Sequence, residues 1–208
     1  MWEIISQGGV CIYPLIACSI ISLAVIIERF ISLCRARRLY SEFINGFNRR
    51  LNENDMAEVI KYCQKISTPL APIYESGLTA HLAHQDENHI RQAMQEKAQS
   101  ELPVLDKNLK VLSVIAHISP LLGFLGTVTG MIKAFQKVEE LSGRGEAVGP
   151  GHLAGGIWEA LITTAVGLVI AIPTYLAHSY FTAQVDKLTS QMEKNSLELL
   201  EKISANKS

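Results

Sequence analysis

The sequence contains few charged residues and no excess of either sign. Lys and Arg number 19 against 20 Asp and Glu, which gives a formal net charge of -1 over 208 residues. The basic residues are not gathered into one stripe, so the charge pattern gives no argument for nucleic-acid binding. Only 19% of the residues are charged while 48% are hydrophobic, and the apolar residues lie in blocks. This composition favours membrane spans with an attached domain over an ordinary soluble domain.

Cysteine is also scarce, and its spacing fits neither a disulfide framework nor a metal site. Cys11 and Cys18 are seven residues apart, so on one helix their backbones lie roughly 10 Å apart, too far for a disulfide. No CxxC pair is present. His81, His84 and His89 lack a Cys or a suitably spaced carboxylate on the same face, so we interpret them as solvated helix residues. The sequence predicts no cofactor and no bound metal.

A nucleotide-binding loop is missing as well, which weighs against an enzyme. The glycine-rich stretch from Gly143 to Gly151 lacks the Gly-Lys-Ser/Thr ending of a phosphate loop. It follows an apolar run and not a strand, so we interpret it as a flexible extracytoplasmic loop. We find no strand pattern and no internal repeat elsewhere in the chain.

Three long uncharged or nearly uncharged runs are present instead. They extend from Val10 to Ile27, from Val111 to Ile132, and from Gly155 to Ala177 with Glu159 near its start. About eighteen apolar residues suffice to cross the hydrocarbon core. A signal peptide is the alternative for the first run, but the basic start and small-residue cleavage site are missing. The sequence predicts an all-α membrane protein with three transmembrane helices.

Basic residues at the end of the first run predict its orientation. Arg29, Arg35, Arg37 and Arg38 place that end in the cytoplasm and the N-terminus outside. The segment between the second and third runs carries both basic and acidic residues. Because these charges cancel, the segment can be translocated across the membrane. The predicted layout is a short extracytoplasmic N-terminus at 1–9, transmembrane helices at 10–28, 111–135 and 155–178, a cytoplasmic helical domain at 29–110, an outer loop at 136–154, and a cytoplasmic C-terminal helix at 179–208.

The polar region between the first two runs is predicted to be helical. Apolar residues at four-residue spacing give one of its helices a stripe that can be buried. The C-terminal tail carries a similar set among charges, so we expect the third span to continue as a long amphipathic helix. The first set is Leu39, Phe43, Phe47 and Leu51, and the second is Leu188, Met192, Leu197 and Leu200.

Local signals divide this polar region into shorter helices. Asn54 or Asp55 can cap a short helix, and the Thr68-Pro69 pair can start another. A long helix from Asn88 is predicted to lead into the second span. Pro103 is expected to kink that helix or to mark its break.

The second and third spans each carry one stripe of small and hydroxyl-bearing residues. At 100° per residue these side chains share one side of the helix, while large aliphatic residues occupy the other. Plain helix packing is one interpretation of such faces. Hydroxyls on both stripes favour a lined passage that packs on a partner helix. The stripes consist of Ala116, Ser119, Pro120, Gly123, Gly126, Thr127, Gly130 and Ala134, and of Ala160, Thr163, Gly167, Ala171, Thr174 and His178 with Thr164 at the edge.

Neither stripe carries a titratable side chain at mid-membrane depth, although a proton pathway needs one. If ions cross here, the carboxylate should come from a partner helix, and we assign Thr127, Thr163 and Thr164 to the ion pathway that faces it. Glu159 lies within about one turn of the predicted outer boundary. We predict it to be an ion entrance residue or an interfacial acid that reaches water. His117 lies near the inner end of the second span.

Several segments resemble one membrane protein family over nearly the whole chain. The first span is similar to that of ExbB and TolQ proteins, and the later segments resemble the second- and third-span motifs of the MotA/TolQ/ExbB proton channel family. Three spans favour the ExbB/TolQ branch over the MotA branch. The matching segments are Tyr13-Pro14-Leu15, Ile26–Phe30, Pro120–Ile132, Ile157–Leu168 and Ala171-Ile172-Pro173.

The resemblance implies a function and a set of partners. Such proteins form a pentamer around two single-span helices of the ExbD/TolR type, whose membrane aspartate carries the proton. Thr127 and Thr164 would be the pore-lining threonines and Glu159 the third-span acid. The protein would then lie in the bacterial inner membrane, with a periplasmic N-terminus and outer loop and a cytoplasmic C-terminus. It would move H⁺, or else Na⁺, to energise a TonB- or TolA-type protein.

Two alternatives to this motor are open at the level of the sequence. One is a non-conducting membrane scaffold held together by its small faces, and the other is an ion channel that acts alone. The chain departs from some ExbB proteins because only about nine residues precede its first span. This difference weakens an assignment to ExbB specifically.

Overall fold

The chain is helical through nearly all of the part that the structure describes. A computed structural model describes residues 9–51, 56–145, 147 and 149–205. Within these ranges the elements are α1 Ile12–Leu51, α2 Met56–Lys65, α3 Leu70–Leu82, α4 Glu87–Glu101, a short 3₁₀ helix Leu102–Val104, α5 Leu109–Gly143 and α6 Pro150–Ala205.

Three of these helices are long and apolar enough to cross a membrane. They are α1, α5 and α6, and each contains one of the predicted spans. The predicted class, an all-α membrane protein, is therefore confirmed. Helices α5 and α6 also include Pro120 and Pro173 in their interiors without ending there. Because helix ends do not define membrane boundaries, the limits of the predicted spans stay predictions.

The chain divides into two compact units. The first unit comprises Met1–Glu28 and Asn108–Tyr180, and the second comprises Arg29–Lys107 and Phe181–Ser208. In the first unit many large apolar side chains are exposed, as Val169 (70% exposed) and Phe124 (65% exposed) illustrate. Exposed apolar side chains are unfavourable in water but not in lipid, so this pattern suits a membrane environment.

The second unit has an aromatic core. Phe43 and Phe47 of α1 are fully buried, and their rings contact Tyr74 of α3 at centroid distances of 5.5 and 4.6 Å. Both contacts are edge-on, a favoured aromatic geometry. The predicted stripe is thus buried at its centre, while Leu39 and Leu51 at its two ends are partly exposed.

The helix boundaries in the second unit follow the local signals closely. Thr68 accepts a hydrogen bond on Oγ1 from the Leu70 amide at 3.1 Å, which starts α3. Pro103 lies in the 3₁₀ helix that separates α4 from α5, so its predicted role as a break is confirmed. Helix α4 is capped by Asp86 and begins at Glu87, one residue before the predicted start. The predicted caps Asn54 and Asp55 lie outside the described residues.

The N-cap of α4 is also an ionic contact. The Asp86 carboxylate accepts from the backbone amide of His89 at 3.2 Å and contacts the His89 ring. These hydrogen bonds to the His89 side chain and backbone lower the pKa of Asp86. The Asp86 carboxylate therefore keeps its charge to a lower pH than a free aspartate does, because the hydrogen bonds favour the charged form.

The end of α6 corrects one detail of the predicted amphipathic face. Leu188, Met192 and Leu200 are buried as predicted, but Leu197 is 50% exposed. Leu197 is nine residues after Leu188, and at 3.6 residues per turn this spacing turns its side chain by about 180°, to the opposite face of the helix. The buried face of this segment consists of Phe181, Val185, Leu188, Met192, Leu199, Leu200 and Ile203.

Candidate functional site

Helices α5 and α6 pack through backbone-to-backbone contact in the first unit. A Cβ atom added to Gly167 would lie 2.6 Å from the carbonyl oxygen of Ser119, and one added to Gly130 would lie 2.9 Å from that of Gly156. Real Cβ atoms do not approach so closely, so only glycine fits at these positions. We call this contact the glycine seam.

The centre of the glycine seam holds a threonine. A Cβ atom on Gly126 would lie 2.5 Å from Cβ of Thr163, whose side chain is fully buried. The Thr163 hydroxyl donates to the carbonyl of Ala160 at 2.8 Å, within its own helix. These contacts support a packing role for Thr163, and its place in the ion pathway stays a prediction.

Thr127 and Thr164 lie at the margin of the seam, where both are partly exposed. Thr164 Oγ1 donates across the helix pair to the carbonyl of Gly123 at 3.1 Å. Thr127 Oγ1 donates to the carbonyl of Phe124 at 2.6 Å within α5. Each hydroxyl keeps lone pairs that can accept a further hydrogen bond. A groove of about 540 Å³ runs along α5 beside Thr127 and ends at Glu139.

The members of the two stripes separate into an enclosed set and a partly exposed set. The enclosed residues are buried within the chain itself, which is what plain helix packing predicts. The role of the stripes as a face for a partner helix stays a prediction, and the partly exposed set is the part available for it. The enclosed residues are Ala116, Ser119, Gly123, Gly126, Gly130, Ala134, Ala160, Thr163, Gly167, Ala171 and Thr174, and the partly exposed ones are Pro120, Thr127, Thr164 and His178.

Glu159 forms an ion pair that the sequence reasoning missed. Lys133 Nζ of α5 donates to Glu159 Oε1 of α6 at 2.7 Å, and the Glu159 side chain is only 19% exposed. Gly9 packs beside the pair with a positive φ of 60°, and a Cβ there would lie 2.9 Å from Glu159 Cδ. Opposite charges at the adjoining ends of two neighbouring spans were the available signal. The pair fits the interfacial interpretation of Glu159 better than a free ion entrance.

The described part of the chain offers buried hydroxyls but no buried acid. Its buried polar or charged side chains are Ser22, Arg29, Thr68, Ser119, Thr163 and Thr174. His117 is exposed, with Nδ1 located 2.7 Å from the carbonyl oxygen of Ser113. In the same residues no group of three or more His, Cys, Asp or Glu side chains could hold a metal ion. This site can solvate a charge or accept a hydrogen bond, but it needs an acid from elsewhere to carry a proton.

Comparisons with known proteins identify the group to which this arrangement belongs. The sequence profile of the MotA/TolQ/ExbB proton channel family matches residues 65–194, which include α5 and most of α6. The chain is 31% identical to the biopolymer transport protein ExbB-like 3 of Synechocystis sp., over 89% of this chain and 90% of that protein.

Relatives from two branches of the family support the same assignment. The chain is 26% identical to the biopolymer transport protein exbB1 of Vibrio cholerae, over 90% of this chain and 81% of the relative. It is also 26% identical to the Tol-Pal system protein TolQ of Pseudomonas aeruginosa, over 90% of this chain and 85% of the relative. The relatives named ExbB and TolQ support the ExbB/TolQ branch. The chain therefore belongs to the MotA/TolQ/ExbB proton channel family.

Proposed function

We propose that this chain is the multi-span subunit of a motor driven by the proton-motive force in a bacterial inner membrane. Five copies surround the membrane helices of a single-span ExbD/TolR-type partner. The assembly energises a TonB- or TolA-type protein that reaches across the periplasm. The observation that carries the proposal is the pair of partly exposed hydroxyls, Thr127 and Thr164, in a helix pair without a buried carboxylate.

The missing acid explains why a partner is required. A carboxylate that releases and rebinds protons within the membrane needs neighbours that can hydrogen-bond to it in both forms. Hydroxyl groups can do this because they both donate and accept. Thr127 and Thr164 therefore suit an acid that a partner helix brings to them.

The available free energy fits a stepwise motor. One proton that crosses a potential of 100 mV releases about 2.3 kcal/mol. A few protons per step therefore supply enough free energy to turn or rock a helix inside a collar of small residues, which offers few side chains that interlock. The names of the relatives support both a biopolymer transport role and a Tol-Pal role for the driven system.

Reconstitution tests the proposal directly. We expect liposomes that contain the chain alone to show no proton flux, and liposomes that also contain an ExbD/TolR-type protein from the same organism to acidify under an applied potential. A pH-sensitive dye inside the liposomes reports the flux. Repeating the assay in sodium-free buffer distinguishes H⁺ from Na⁺.

The rival functions give different results in the same assay. Flux through the chain alone would identify a channel that needs no partner. A correctly assembled complex that carries no flux of either ion would identify a scaffold and reject the motor.

Cysteine labelling tests the proposed orientation. Cys34 is exposed, whereas Cys63 is buried. Burial, with a smaller contribution from the charge of Glu75, raises the pKa of the Cys63 thiol to about 12. A membrane-impermeant maleimide at neutral pH should therefore label Cys34 in inverted inner-membrane vesicles and leave Cys63 unmodified.

The two partly buried cysteines are removed from this experiment by serine substitution at Cys11 and Cys18. Cys34→Ser in that background is the control and should abolish labelling. Rapid modification of Cys34 in intact spheroplasts would reverse the proposed orientation, because the reagent then reaches it from the periplasmic side.

A further inference from the structure

A cavity in the second unit lies against the turn of α1 that directly follows the first apolar run. Its volume is about 230 Å³. Residues of α1, of the α2–α3 connection and of the 3₁₀ helix line it. The side chains with polar groups are Arg29, Ser32, Arg35, Ser67 and Thr68.

The charge in this cavity has a single sign. Two arginines line it, and among the described residues no Asp or Glu does. Arg29 is only 3% exposed and donates from Nη1 to the carbonyl of Leu105 at 3.3 Å, which fixes its guanidinium in place. Arg35 is exposed and lines the cavity from about 1.7 turns further along α1. One held and one exposed guanidinium together favour an anion.

The start of α3 adds a second, independent preference for an anion. Ser67, Thr68 and Pro69 line the cavity and immediately precede α3, a helix of 13 residues. Thr68 is 4% exposed and is held by the hydrogen bond from the Leu70 amide. The N-terminus of a helix carries a partial positive charge from its aligned peptide dipoles. The cavity therefore receives positive potential from both α1 and α3.

We propose that this cavity is a binding site for a phosphate group. Guanidinium groups bind phosphate oxygens through paired N–H donors, and the serine hydroxyls supply further donors. Arg29 follows the uncharged run by two residues, so in the predicted orientation the site lies at the depth of the cytoplasmic headgroups. The phosphate could thus belong to an anionic lipid or to a soluble phosphate compound, and the two sources are experimentally separable.

Lipid retention and thermal stability test the site in the full chain. The protein is purified in detergent, incubated with phosphatidylglycerol, and the bound lipid per chain is counted by native mass spectrometry. Arg35→Gln removes an exposed arginine of the cavity, and Arg38→Gln is a matched control on the same helix outside it. We expect Arg35→Gln to weaken lipid binding on the order of fivefold and Arg38→Gln to leave it unchanged.

A soluble probe separates the two sources of phosphate. Inorganic pyrophosphate that raises the melting temperature of the wild type but not of Arg35→Gln, without selective lipid binding, assigns the site to a soluble phosphate compound. Selective loss of phosphatidylglycerol in Arg35→Gln assigns it to a lipid headgroup. Equal behaviour of Arg35→Gln and Arg38→Gln toward both probes overturns the proposal.

Discussion

The double substitution Thr127→Val with Thr164→Val is expected to abolish proton flux while the complex still assembles. Valine has nearly the shape of threonine but lacks the hydroxyl, so the change removes hydrogen bonding and little else. A hydrogen bond to a charged group contributes about 1.5–3 kcal/mol. Loss of that contact to a partner's carboxylate should therefore slow flux by about ten- to a hundredfold per threonine.

Assembly should survive the same substitutions. The one interhelical bond that is lost, from Thr164 to the carbonyl of Gly123, contributes about 0.6 kcal/mol in a membrane setting. Co-purification with the ExbD/TolR-type partner measures assembly, and dye acidification in liposomes measures flux. Thr129→Val is the control, because this partly exposed hydroxyl of α5 lies outside the two stripes; it bonds to backbone carbonyls of its own helix and lies 3.9 Å from Cys11 Sγ. Normal flux in the double variant would favour a scaffold and contradict the motor.

Gly167→Ala is expected to destabilise the folded chain by about 1–3 kcal/mol, because it overpacks the glycine seam. The added methyl group would meet the backbone oxygen of Ser119 at 2.6 Å. A carbonyl in a helix cannot rotate away as a side chain can, so α5 and α6 must move apart. The melting temperature in detergent and the yield of folded protein should both fall.

Gly155→Ala gives a control in the same helix with the opposite expected sign. Nothing lies within 4 Å of a Cβ atom at Gly155. Alanine is better than glycine inside a helix by about 0.5–1 kcal/mol, so this variant should be slightly stabilised. Similar stabilisation of both variants would show that the backbones of α5 and α6 are not in close contact at Gly167.

The sequence predicted the helical framework well because its signals are local. An uncharged run of about eighteen residues can be satisfied in a membrane only as a helix. The Thr68-Pro69 pair and Pro103 act on their own backbones, so the start of α3 and the break before α5 could be read directly. Leu197 was misplaced because its nine-residue spacing from Leu188 turns its side chain by about 180°, to the opposite face of α6.

The candidate site was harder to predict because it depends on contacts between helices. Lys133 and Glu159 lie 26 positions apart in the chain, and their pairing requires the actual placement of α5 against α6. The stripes of small residues on α5 and α6 were recognised in the sequence. Small residues are needed both for packing against a helix of the same chain and for packing against a partner helix. Composition therefore identified a contact surface without identifying what covers it.

Pro120 in α5 and Pro173 in α6 have no backbone N–H group, so each helix lacks one main-chain hydrogen bond. The carbonyls of Ala116 and Val169 lose the N–H donor that any other residue four positions later would supply, and lipid has none to offer in its place. A helix bends most readily where such a main-chain hydrogen bond is missing. Changes in the tilt of these two helices during a working cycle should therefore concentrate near the Ser119–Gly167 end of the glycine seam, where both prolines lie, and leave the rest of the seam rigid.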